Sequence, residues 1–292
     1  MTTRLVQGPA NPVWLVDELG EAIPSPLPIG ETAVQFIDEN GVAYGVKHSE
    51  NRPIIVTVSH GEAIAEGNLP GHTALRLFGH NTSVAAALET VYHGSNLKTY
   101  LAAAERLQVT STDADDTGAG NGARTLTITG LDTNYDVLVE TVTMNGVANV
   151  LTDASFLRLT SLIVATAGVT GYNEGSITVS NNADTVVLDT IVVRENKNHS
   201  ASYTVPAGYT GYITNTFATE SSTKGCEFSF WVRLFGGLWT MQKAVVLLDS
   251  SIVMVHQIPM KLPQRADVEI RAEAILAGAI VTAGFDGWLE EN

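Results

Sequence analysis

Cysteine is nearly missing from this chain of 292 residues. The single thiol, Cys226, excludes an intrachain disulfide framework and any multi-cysteine zinc site, so stability has to come from packing or from association with other chains. Cys226 itself is expected to be a small buried hydrophobe. Positive charge is also scarce. With 16 Lys and Arg against 31 Asp and Glu the formal net charge is −15, so nucleic-acid phosphates are repelled and nucleic acid is not expected as a partner. Hydrophobic residues make up 45%, yet no run approaches the ~18 consecutive apolar residues that span a bilayer. The N-terminus has no basic and apolar leader pattern. Neither a membrane partner nor export is expected.

What is present divides the chain. Prolines at 9, 12, 24, 26, 28, 53 and 70 leave little room for long helices or central strands, and residues 1–77 read as an extended arm. Inside it, "WLVDELGEAIPSP" at 14–26 and "QFIDENGVAYGVK" at 35–47 share an apolar–Asp–Glu–x–Gly–x–Ala pattern, each read as a β-hairpin, and "RPIIVTVS" supplies a further strand. Residues 78–104 read as a linker with one short helix near 81–94, where Val84, Leu88 and Val91 recur at helical spacing. From 105 to 292 the pattern becomes strand, turn, strand. "RTLTITGLD" alternates Leu126 and Ile128 with threonines, and "YDVLVETVTMNG" sets Val137, Val139, Thr141 and Thr143 on one face before Asn145–Gly146, a hairpin dipeptide. The fold class is mainly β: an arm with hairpins, then an antiparallel β-sandwich or jelly-roll body.

Chemistry-bearing patterns are weak. In "TDADDTGAGNGARTLTITGLD" at 112–132, Gly118, Gly120 and Ala123 mimic a dinucleotide fingerprint, but a strand follows where a helix is required. Asp113, Asp115 and Asp116 fail the register of an EF-hand, since Arg124 stands where a bidentate Glu is needed. A solvated loop entering a strand is the plainer reading. His48, His60 and His72 recur every twelve residues, which is not the short spacing that sets two imidazoles on one metal, so surface or interface histidines, no metal site and no cofactor are expected, the alternative being a site at a symmetry axis between subunits that the histidine-rich arm joins. No nucleophile elbow or carboxylate pair marks a catalytic residue. The aromatic residues Phe228, Phe230, Trp231, Phe235 and Trp239 are expected to fill the core. As the sharper alternative, Tyr209, Trp231 and Trp239 offer a glycan-stacking surface.

Several ordered motifs, "FGHNTSVAAALETVY" at 78–92, "DDTGAGNGARTLTITGLDTNYDVLVETVTMNG" at 115–146, "FLRLTSLIVATAGVTGYNEGSITVSN" at 156–181, "YTVPAGYTGYI" at 203–213, "RLFGG" at 233–237 and "VTAGFDGWLEEN" at 281–292, give the chain a pattern that resembles virion structural proteins of tailed bacteriophages. The resemblance implies a non-enzymatic, symmetric, β-rich part of the particle, either decorating and cementing the capsid or belonging to the neck or tail. It implies a homotrimer bound to the major capsid protein on the capsid surface, assembled in the bacterial host cytoplasm. The arm residues Trp14, Leu15, Phe36, Ile37, Ile54 and Ile55 are the expected partner contacts, because apolar side chains in an arm need a surface to cover them.

Overall fold

The structure is a computed structural model that describes residues 59–292 in full and, of residues 1–58, the backbone of five strands. It divides into two compact units, residues 1–68 and 69–292. In the first, β1 (Arg4–Gln7) pairs antiparallel with β2 (Val13–Val16), and β3 (Gln35–Ile37), β4 (Ala43–Ser49) and β5 (Arg52–Val58) form an antiparallel sheet. The second copy of the hairpin pattern and the "RPIIVTVS" strand are thus found as strands. A short helix, α1 (His60–Ala65), closes this unit. Its start is a capping box: Ser59 accepts from the Glu62 amide at 3.2 Å while the Glu62 carboxylate accepts the Ser59 amide at 2.9 Å.

The second unit contains β6 (His72–Val84), β7 (Glu89–Thr90), β8 (Gln108–Ser111), β9 (Ala123–Leu131), β10 (Val137–Thr143), β11 (Val150–Leu151), β12 (Arg158–Ala167), β13 (Ile177–Ser180) and β14 (Val187–Ile191). It continues with β15 (Ser202–Thr204), β16 (Tyr209–Glu220), β17 (Cys226–Arg233), β18 (Trp239–Leu247), β19 (Ser250–Leu262), β20 (Asp267–Ala274) and β21 (Ala279–Glu291). The mainly β, antiparallel expectation holds. The body is two sandwiches, one inserted into the other.

The outer sandwich has one sheet ordered β6-β21-β16-β19 and another ordered β15-β20-β17-β18, with β7 also pairing β20. β7 and β15 lie on the same side of β20, opposite Arg271–Ala272 and Asp267–Glu269 respectively. They are two pieces of one strand. Counted that way, the eight strands run 1-8-3-6 in one sheet and 2-7-4-5 in the other, so successive strands repeatedly cross between sheets as in a jelly roll. Phe228, Phe230 and Val232 on β17 and Val268 and Ile270 on β20 face Ile213, Val281 and Phe285 of the opposite sheet, and the Phe230 and Phe285 rings meet edge-on at 6.0 Å. Alternation along β17 and β20 sends Trp231, Arg233, Asp267, Glu269 and Arg271 to the outside of that sheet. Cys226 is in this core, where burial pushes its thiol up to about 12.

Between β7 and β15 the chain builds a second sandwich, with sheets β10-β9-β12 and β11-β8-β13-β14. Leu126 and Ile128 are fully buried there, as their alternation required, beside Leu107, Phe156, Leu162, Ile177 and Ile191. Val137, Val139, Thr141 and Thr143 do share a face, and it is the exposed one.

Two local expectations are corrected. The helix near 81–94 is not formed: Asn81–Val84 are the end of β6, paired with Val281 and Ala279, and Glu89–Thr90 pair with β20. The buried positions Val84 and Val91 fit a helix by coincidence of spacing, and long-range pairing overrides local propensity. The linker 78–104 therefore contains no helix. Nor does Asn145–Gly146 close a two-residue hairpin, because β10 and β11 belong to different sheets. The dipeptide turns the chain from one sheet to the other, and Gly146 donates its amide to Asp116 O at 2.7 Å.

Candidate functional site

The chain leaves the jelly roll at Val91 and returns at Ala201, and titratable and aromatic side chains gather around this neck. Lys98 on the outgoing segment places its ammonium 2.6 Å from Asp189 of β14 and 3.0 Å from the Ser200 hydroxyl. Both members of the Lys98–Asp189 pair are buried. Asn198, on the returning segment, donates to the same carboxylate at 3.0 Å and accepts the Leu162 amide at 2.8 Å. A buried charge pair persists only when its remaining hydrogen-bonding capacity is met, and here it is.

On one side of the neck runs a ladder of alternating arginine and aromatic side chains. Arg271 lies 4.4 Å from the Trp231 ring and 4.7 Å from Trp239; Arg233 lies 4.8 Å from Trp239 and 4.7 Å from Tyr100. Arg158, from the inserted sandwich, spans Tyr100 and Tyr135, and Arg265 spans Tyr135 and Phe235. Two buried carboxylates anchor it. Asp267 accepts from Arg158 Nε at 3.1 Å, Arg233 Nη2 at 2.6 Å and Thr204 Oγ1 at 2.6 Å, while Glu269 pairs with Arg271 and accepts from Thr90 and Tyr100. Burial raises the Glu269 carboxyl above its ordinary range, opposed by Arg271 and these hydrogen bonds. A groove of about 430 Å³ opens here, lined by Tyr135, Arg158, Arg233, Phe235 and Arg265 among others. Three guanidinium groups against Asp267 leave it positive in an otherwise acidic chain.

On the other side, left-handed backbone at Arg194 (φ 69°) and Asn196 (φ 56°) curls the returning segment before it pairs with the edge of β12. The curl brings Glu195 and His199 to one point. Glu195 Oε2 lies 2.9 Å from His93 Nε2 and 3.0 Å from His199 Nδ1, and the ligand atoms of all three residues lie within 4.8 Å of one another. His199 stacks on Phe78 at 4.5 Å, and the His80 ring meets His93 edge-on at 5.7 Å. Burial lowers the His199 pKa; Glu195 opposes this, and His93, His80 and Lys197 reinforce it. The evenly spaced His48, His60 and His72 drew attention in the sequence. The pair that meets, His93 and Glu195, is 102 residues apart, and only the short Glu195-to-His199 spacing was a local sign of it.

The aspartate-rich loop is a structural knot. Asp116 is fully buried, and its carboxylate accepts from Ser111 Oγ and from the amides of Ala123, Glu174 and Gly175 at 2.6–2.9 Å. A Cβ at Gly122 would come within 2.2 Å of Asp116 Oδ1, which explains the glycine. Asp113 instead accepts the Asp115 amide at 2.8 Å, an Asx turn. The expected solvated loop is thus corrected for Asp116, whose lone pairs are taken by protein donors.

The side chains of Trp14, Leu15, Phe36, Ile37, Ile54 and Ile55 lie outside the described residues. Tyr209 begins β16, in the opposite sheet from Trp231 and Trp239. The two tryptophans come together through Arg271, on the outside of the sheet rather than in the core, and guanidinium groups lie against both rings. The two tryptophans are half-buried there, Phe235 is exposed and meets Arg265, and Phe228 and Phe230 are core residues as expected.

Sequence patterns also passed over the open edge of the jelly roll. β18 and β19 are the outermost strands of their sheets. Met241, Val246, Leu248, Val253, Val255 and Ile258 on and between them are all more than half exposed. From Ser250 to Met260 no residue carries Asp, Glu, Lys or Arg. Edge strands normally carry charges that discourage pairing.

No family model matches the chain, and no curated protein matches it. Among solved structures, it is similar to one titled "Structure of infectious bursal disease virus Gt strain", at 11% identity over 80% of this chain and 87% of that one, with a TM-score of 0.15. A second, from the Gx strain of the same virus, matches at 11% identity over 89% and 73%, with a TM-score of 0.09. Likenesses this slight carry no argument about the fold or the function of the chain.

Proposed function

We propose that the protein is a non-enzymatic structural component of a tailed-bacteriophage virion, a capsid decoration or cement protein that assembles as a homotrimer and clamps neighbouring subunits of the major capsid protein. The observation that carries this reading is the open edge of the jelly roll, where β18 and β19 present a largely apolar surface with exposed side chains such as Val255 and Ile258 and with no acidic residue, Lys243 and Lys261 being their only charged side chains. Such an edge is stable in solution when another chain covers it, by strand addition or by side-chain packing. The motifs resembling phage virion proteins point the same way. In this reading the protein acts on the capsid surface, and the arm residues Trp14, Leu15, Phe36, Ile37, Ile54 and Ile55 grip the capsid.

A neck or tail position uses the same self-association at lower copy number. A glycan-binding role for Trp231 and Trp239 is disfavoured by the arginines that lie against their rings. The test has two parts. Light scattering of the purified protein is expected to give a trimer, and Val255→Lys with Ile258→Glu is expected to yield a monomer with an unchanged melting temperature; a wild-type monomer contradicts the reading. Quantitative mass spectrometry of virions then separates the positions, a ratio near one to one with the capsid protein meaning cement and about a dozen copies or fewer meaning neck or tail.

A further inference from the structure

We infer that His93, Glu195 and His199 form a binding site for a divalent transition-metal ion of the zinc class, at the neck where the inserted sandwich joins the jelly roll. The donor set is two imidazoles and one carboxylate, which suits zinc and its neighbours and not the hard cations calcium and magnesium. The two carboxylate-to-imidazole distances are close to what such an ion needs. Zinc bonds of ~2.0–2.2 Å in a tetrahedron place ligand atoms roughly 3.3–3.5 Å apart. Here Glu195 Oε2 is 2.9 and 3.0 Å from the two ring nitrogens, and the whole set falls within 4.8 Å.

Without an ion, one carboxylate oxygen takes hydrogen bonds from both imidazoles. An ion would take the place of those two hydrogen bonds once each neutral ring carries its proton on its other nitrogen, with Glu195 drawing back by a few tenths of an ångström and the two ring nitrogens, within 4.8 Å of each other, closing to tetrahedral spacing. The surroundings hold the ligands in place. The His93 side chain is 7% exposed, His199 stacks on Phe78, and His80, fixed by its 2.9 Å contact with Thr282 Oγ1, lies against His93. Burial favours the neutral, ligating form of His199, and the Lys197 ammonium opposes a bound cation only from an exposed position. His199 also lines a cavity of about 400 Å³ between Phe78, Phe217 and Asp286 of the jelly roll and Thr129 and Thr160 of the insert, which gives an ion a path in.

Bound there, the ion links the outgoing segment, through His93, to the returning one, through Glu195 and His199. It would lock the insert onto the jelly roll in a chain that has no disulfide to do so. The inference does not depend on the virion reading.

The test uses the full chain, stripped with chelator and titrated with Zn²⁺ alone, then with Co²⁺ to read the tetrahedral absorption bands. Wild type is expected to bind one Zn²⁺ per chain, with Ca²⁺ and Mg²⁺ unable to compete. His93→Ala and His199→Ala are each expected to weaken binding at least about tenfold, while His60→Ala leaves it unchanged. If either histidine variant fails to fold, Glu195→Gln, which keeps a hydrogen-bond acceptor for the imidazoles, is expected to fold and to lose the Co²⁺ bands. Absence of saturable Zn²⁺ binding overturns the inference. So does binding that survives intact in the folded variants.

Discussion

Val91 donates its amide to the carbonyl of Ile270, and Ala201 accepts the amide of the same Ile270, both at 2.9 Å. A third bond, from the Ala201 amide to the Val91 carbonyl at 2.9 Å, closes the gap between them. A strand of the jelly roll is therefore interrupted at one residue and resumed beside it, and everything between is an excursion. Gly79 on β6 allows this crossing, since a Cβ there would come within 1.8 Å of Val91 O and 2.6 Å of Ala201 N. Residues 98–199, which contain both sheets of the insert and its own closed core, are expected to fold when expressed alone. A cooperative thermal transition with dispersed amide resonances is the expected result, and a collapsed spectrum would show that the insert needs the jelly roll.

Asp267 carries the contact between the two sandwiches, because Arg158 comes from the insert and Arg233 from the jelly roll. Asp267→Asn keeps the shape and removes the charge, leaving two guanidinium groups crowded without their counter-ion. The expected loss is roughly 3 kcal/mol or more in urea unfolding, the usual size for one partner removed from a buried pair. A loss under about 1 kcal/mol would mean that water already shields the site.

Asp116 predicts a similar cost by a different route. Asp116→Ala strands one hydroxyl and three backbone amides inside the inserted sandwich. At about 1 kcal/mol or more for each unsatisfied group, the insert is expected to lose about 4 kcal/mol or more. Added Ca²⁺ is expected to leave the wild-type melting temperature unchanged, and a rise would show that the loop holds an ion after all.

His256 links β18 to β19 at the open edge, with Nδ1 2.7 Å from the Lys243 ammonium and Nε2 buried with no hydrogen-bond partner among the described residues. Burial first, then Lys243, lowers its pKa from the ordinary 6.5. A histidine depressed in the folded state stabilises above its unfolded value, and that contribution is lost as pH falls below about 6.5 towards the folded value. His256→Asn offers Lys243 an amide oxygen and does not titrate. Between pH 7.5 and pH 5.5 the wild type is expected to lose more stability than the variant, and equal losses would show that His256 does not titrate in this range.

Periodicity along single segments was enough to place strands. The alternation of Leu126 and Ile128, the apolar run at 52–58 and the threonine-rich hairpin arms needed only the two-residue repeat of an extended chain, a local property. The capping box Ser59–Glu62 is equally local, but the sequence reading passed over it, and it starts the one helix among the described residues. Segment 81–94 misled for the same reason, since its spacing satisfied a helix while β20 and β21 supplied the pairing that decided it.

What tertiary structure alone decided is which strands meet and what that meeting brings together. Arg158 reaches Asp267, Lys98 reaches Asp189 and His93 reaches Glu195 across separations of 109, 91 and 102 residues. No local pattern encodes such contacts, because each is set by the closure of the whole inserted sandwich. The sequence by itself determined a mainly β chain without disulfides and with an acidic surface. Only the folding of one sandwich into a strand of another produced the buried charges, the arginine ladder, the histidine cluster and the open apolar edge.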